Sequence, residues 1–86
     1  MPPMSQNAEQ KSLQVVAVFA TTSDAMAVDA AADAGLVPGR MIPLPACLSA
    51  GCGLAWSVPA EEGAALVEAL EREGLAYESL NEVMLA

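Results

Sequence analysis

Apolar and polar positions change period several times along the chain, and each change marks an element. Gln14–Ala20 (QVVAVFA) is β-branched or aromatic on both faces, which predicts a central strand. Thr21-Thr22-Ser23-Asp24 follows: hydroxyls and then an acid, the composition of a helix N-terminus whose N–H groups are capped by side-chain oxygens. Ala-rich sequence runs on to Asp33-Ala34 and stops at Gly35, a natural left-handed cap. Leu36–Leu44 (LVPGRMIPL) returns to extended structure. Pro38 and Pro43 cannot donate to a ladder, so this segment belongs at a sheet edge.

Pro43–Gly51 reads as a loop, and Cys52–Val58 (CGLAWSV) as a third strand. Leu54, Trp56 and Val58 share one of its faces; Gly53, Ala55 and Ser57 share the other. Pro59-Ala60-Glu61-Glu62 opens a second helix, with proline in the first turn and acids near the positive end of the dipole. Gly63, Leu66, Val67 and Leu70 fall at helical spacing and predict its core-facing stripe. Gly74 ends that helix, and Leu75–Leu85 supplies a last strand.

The order is β-α-β-β-α-β. Two α-to-β joints look alike, Asp33-Ala34-Gly35-Leu36-Val37 and Arg72-Glu73-Gly74-Leu75-Ala76. Together they predict an α+β, ferredoxin-like split βαβ domain with both helices on one face of an antiparallel sheet. Residues 1–12 are polar, carry Pro2-Pro3 and show no period, so they read as a disordered tail before a single domain over 13–86. Val16 and Val18 point away from Val15, Ala17 and Phe19, which puts apolar groups on the helix-free face. A homodimer through that face is the expected cover, with Trp56 in the core or at the dimer contact.

Composition narrows the picture. Eighty-six residues allow one core, and the 55% hydrophobic content is inflated by alanine. Phe19, Trp56 and Tyr77 are the only aromatics, so Val, Leu, Ile, Met and close Ala contacts must fill the interior. Three basic residues against eleven acidic ones give a net charge of −8. No Lys/Arg cluster is available for a nucleic-acid backbone, and an anionic membrane surface would be repelled. The chain has no histidine, which excludes a His general base, a Ser-His-Asp triad and a His metal ligand. Val15–Ala20 is far shorter than the roughly 20 residues of a membrane span. With no secretory pattern at the start and only two cysteines, the expectation is a cytoplasmic protein with free thiols.

Candidate chemistry concentrates in Pro43–Gly53 (PLPACLSAGCG). Gly51 and Gly53 strip side-chain bulk from both sides of Cys52 and free local N–H groups. In this topology the exit of the first strand and the hairpin between strands two and three lie at the same sheet end. Thr22 and Ser23 should therefore face the Cys52 loop, where the positive end of a helix dipole favours a thiolate. Asp24 and the acidic field oppose it. Arg40 is a further anion-stabilising candidate, or it pairs with an acid. The pattern by itself leaves Cys52 open between a reactive thiolate and a small packed hydrophobe, with the glycines forming only a bend. Cys47 is a candidate accessory thiol. Its C-x4-C spacing with Cys52 is not the redox C-x-x-C pattern, and a disulfide across the loop stays open. Two thiolates half-fill a zinc site, so neither metal nor cofactor is expected. The acids of the second helix, Glu61, Glu62, Glu68, Glu71 and Glu73, read as a solvated face.

Thr22-Ser23-Asp24-Ala25, Arg40-Met41-Ile42-Pro43-Leu44-Pro45 and Leu48-Ser49-Ala50-Gly51-Cys52-Gly53-Leu54-Ala55 resemble a family of small bacterial domains. That family, of unknown function, is described as selenium/sulfur (Se/S) carrier protein-like, and the resemblance spans roughly Val15 to Met84. It implies a cysteine-borne sulfur or selenium, which maps onto Cys52 as a persulfide or selenosulfide. Cys47 stands where such sequences more often show a polar residue, so no role passes to it. The implied protein is a carrier or binding protein rather than a stand-alone enzyme, with a sulfur or selenium donor or acceptor protein as partner. The alternative is a non-catalytic dimerising or ligand-sensing module in which Cys52 is structural.

Overall fold

The computed structural model describes residues 12–48 and 53–85. Its elements are β1 (Ser12–Val18), α1 (Thr22–Asp33), β2 (Arg40–Pro43), β3 (Leu54–Pro59), α2 (Gly63–Arg72) and β4 (Ser79–Leu85). A single 3-10 turn, Ala60–Glu62, leads into α2. The four strands form one antiparallel sheet in the order β2-β3-β1-β4. This is the α+β, ferredoxin-like β-α-β-β-α-β arrangement expected from the sequence.

Both helices pack on one face. Ala17 and Phe19 meet Trp56 and Val58 from the sheet and Ala25, Val28, Leu66, Ala69 and Leu70 from the helices in one buried cluster. Trp56 is thus a core residue, facing the helices. Val67 of the expected stripe is only half-buried, at the margin of α2. Gly63 permits the close approach of α2 to β1: a Cβ there would lie 2.8 Å from Val15 Cγ2.

The two α-to-β joints are alike in structure as well as in sequence. Gly35 and Gly74 adopt φ of +81° and +67°. Each is followed by a leucine whose N–H reaches back to the helix, Leu36 to Ala31 O and Leu75 to Leu70 O, at 2.9 and 2.8 Å. Gly35 and Gly74 themselves donate to Ala32 O and Glu71 O. Both helices therefore end in the same left-handed cap.

Several boundaries differ from the sequence reading, each for a local reason. β1 begins at Ser12, which the sequence reading assigned to the tail, because Ser12 and Leu13 find partners in Leu85 and Met84 of β4. It ends at Val18, since Phe19 leaves the ladder to fill the core beneath α1. β2 is only four residues long. Gly39, at φ +101°, bends the chain before it, and Val37 and Pro38 turn toward the core instead of pairing. As expected, β2 is an edge strand. β4 starts at Ser79, after Leu75 and Tyr77 have packed against the core. Residues 1–11, the bulk of the expected tail, lie outside the described residues.

One expectation rested on the helix-free face. Val16, Val18 and Ala55 on that face are 0%, 2% and 0% exposed within the single chain. Leu44 and Pro45, which follow β2, line a cleft on this face together with Ser12, Gln14 and Leu85. The apolar centre that argued for a homodimer there is already out of water.

Candidate functional site

The loop that carries both cysteines springs from the β2–β3 hairpin. Pro43 pairs with Leu54 at the last rung, and Leu44 N–H donates to Gly53 O at 3.0 Å to close the neck. Pro45, with no N–H, cannot extend the ladder. A turn follows in which Leu48 N–H returns to Pro45 O at 3.0 Å. Cys47 occupies that turn as an exposed, free thiol. Gly53 is exposed, and a Cβ on it would meet nothing within 4 Å. Cys52 and Gly51, together with Ser49 and Ala50, lie outside the described residues.

The antiparallel register fixes which ends of the sheet coincide. Val18, at the end of β1, pairs with Ala55 near the start of β3. The hairpin neck and the start of α1 therefore emerge at the same end of the sheet. Thr22 and Ser23 open α1 there and are exposed. The capping oxygen belongs to the residue before them: Thr21 Oγ1 accepts from Asp24 N–H at 3.2 Å. Thr21 has the extended backbone of an N-cap, at φ −137° and ψ 157°. The hydroxyl-rich signal was visible in the sequence, but a run of three hydroxyls does not say which one caps. Asp24 adds an acidic group to the first turn.

Arg40 is placed elsewhere. It starts β2, three residues and about 10 Å of strand from the hairpin neck. Its register opposite Ser57 puts it on the helix-free face, whereas α1 covers the other. Thr22, Ser23 and Gly53 thus gather at one sheet end, and Arg40 does not join them. Its neighbours are Gln14 and Ser57, two residues that the sequence reading passed over. Ser57 Oγ donates to Gln14 Oε1 at 3.0 Å, and Gln14 Nε2 donates to Ser12 Oγ at 2.8 Å. Strand alternation placed Ser57 on the small-residue face, but only the pairing of β1 with β3 brings Gln14 to it.

Among the described residues, no group of three or more Cys, Asp or Glu side chains is arranged to hold a metal ion. No helix among them is long and apolar enough to cross a membrane.

Comparison with known proteins adds a family. The model of the family described as "Putative Se/S carrier protein-like" matches residues 14–82, from the middle of β1 into β4. No curated protein and no solved structure matches the chain significantly.

Proposed function

The chain belongs to this Se/S carrier protein-like family, and on that premise we propose that Cys52 carries sulfur or selenium between partner proteins. The Cys52 thiolate attacks the terminal sulfur of a donor persulfide. The donor S–S bond breaks, the donor leaves as a thiolate, and Cys52 holds the transferred sulfur as a persulfide. An acceptor thiolate then attacks that outer sulfur and releases the Cys52 thiolate. The transfer needs no net oxidant, because each S–S bond that forms replaces one that breaks. A selenosulfide follows the same path with selenium as the terminal atom.

The observation that carries this reading is the family match, which spans the hairpin bearing Cys52. The shared sheet end supports it: the hairpin neck emerges beside the start of α1, where Thr22 and Ser23 begin the positive end of the dipole. Gly51 and Gly53 flank the sulfur with no side chains of their own. The partners are a protein donor and a protein acceptor of sulfur or selenium. A second copy of the chain is not required, since the centre of the helix-free face is buried within one chain.

Intact-mass analysis after incubation with a persulfide donor tests the proposal. Wild type and Cys47→Ser should gain one sulfur per chain, and Cys52→Ser should gain none. No adduct on wild type, or an adduct that persists in Cys52→Ser, overturns it and leaves a non-catalytic interaction module with a structural Cys52.

A further inference from the structure

The two basic residues in the described segments are used differently. Arg72 donates to the Glu73 carboxylate at 3.1 Å and to Leu36 O at 2.8 Å. The Arg40 side chain, in a chain of net charge −8, makes no hydrogen bond or ion pair among the described residues. It is exposed, and it borders two adjoining clefts of about 430 and 400 Å3 on the helix-free face. Gln14 and Ser57 border both clefts as well, and the Glu62 carboxylate borders the smaller one, so the larger cleft is the one with Arg40 as its only charged side chain among the described residues.

The lining is chemically divided. On one side stand the Arg40 guanidinium and the Gln14 amide, whose Nε2 spends one hydrogen on Ser12 Oγ and keeps another. Ser57, 4% exposed, anchors Gln14 from below. Apolar side chains continue along the larger cleft from there: Ile42, two residues on from Arg40 on the same face of β2, then Leu44 and Pro45, with Leu85 at its far end. A planar guanidinium beside an apolar wall, in a cleft of ligand size, fits a molecule with one anionic end and one greasy end.

We propose that the Arg40 cleft binds a small organic monoanion. Its carboxylate takes the two-pronged hydrogen bonds of the guanidinium, and a body of a few carbons lies against Ile42 and Leu44. The net charge of the protein sharpens the choice. A dianion such as phosphate feels twice the repulsion of the same field, and a neutral amide leaves Arg40 without its counter-charge. Nothing in this proposal rests on the sulfur reading, and Arg40 stands apart from the start of α1.

The test is an NMR titration of the full-length protein with isovalerate at fixed ionic strength, beside isovaleramide and inorganic phosphate. Saturable shifts of the Arg40, Ile42 and Ser57 amides with isovalerate alone support the site. Arg40→Ala should weaken that binding by at least about tenfold, and Arg72→Ala should leave it intact. The spectrum reports in the same tube whether each variant is folded. Absence of saturable shifts overturns the proposal, as do equal shifts with isovaleramide or phosphate. Equal loss in Arg40→Ala and Arg72→Ala overturns it too. Sulfur adducts on Cys52 are read separately by mass, so either idea can fail without the other.

Discussion

The indole N–H of Trp56 donates to Pro38 O at 2.7 Å, tying the middle of β3 to the bend that precedes β2. The ring is 1% exposed, and Pro38 is half-buried. Trp56→Phe removes the donor and some ring volume, and should destabilise the fold by about 2 kcal/mol. Urea denaturation followed by far-UV circular dichroism measures this. An unchanged midpoint would mean that the bend holds without the indole.

Glycine at position 39 serves the same bend. A Cβ there would lie 2.5 Å from Val58 Cγ1 and 2.6 Å from Ser57 O, at a φ of +101° that L-residues avoid. The backbone oxygen cannot rotate aside. Gly74 has a positive φ too, but a Cβ on it meets nothing within 4 Å. Gly74→Ala should therefore cost about 1 kcal/mol, from backbone conformation alone, and Gly39→Ala about 3 kcal/mol or more. Comparable losses at the two sites, in the same urea experiment, would refute the steric account.

The two positions also show what the sequence could and could not say. Gly35 and Gly74 were legible as helix ends, because a helix cap is a local event written in neighbouring residues. Edge placement of β2 was legible from its prolines for the same reason. Gly39 was read as part of a strand, since the close approach it permits is to Val58 and Ser57, some twenty residues away. The burial of Val16 and Val18 on the helix-free face was likewise missed, because strand alternation tells which way a side chain points and not what lies over it. At the candidate site, local signals marked the hydroxyls that open α1, and topology placed them at the hairpin end. The Arg40–Ser57–Gln14 grouping needed the three-strand register, which no stretch of sequence contains.

Thr21 is a sharper test of the helix start than its two successors. Its Oγ1 accepts the Asp24 N–H, and its extended backbone is already that of a cap. Thr21→Ala should cost about 1 kcal/mol, whereas Thr21→Ser keeps the oxygen and should lose only a few tenths. Chemical denaturation of the pair decides it. Equal stability of the alanine and serine variants would show that another group takes over the Asp24 N–H.

Gly63 and Val15 should be energetically coupled. Alanine in α2 gains about 1 kcal/mol over glycine from helix propensity, since Gly63 has ordinary helical geometry. Against this, the new methyl would lie 2.8 Å from Val15 Cγ2, and β1 holds Val15 between Val58 on β3 and Glu82 on β4. Overpacking of this kind costs about 1–3 kcal/mol. Gly63→Ala alone should therefore be neutral to destabilising. In a Val15→Ala background the obstruction is gone and the same change should stabilise, by about 1 kcal/mol. A double-mutant cycle on urea midpoints measures the difference. If Gly63→Ala has the same effect in both backgrounds, the contact between α2 and β1 does not explain why glycine stands at the start of the helix.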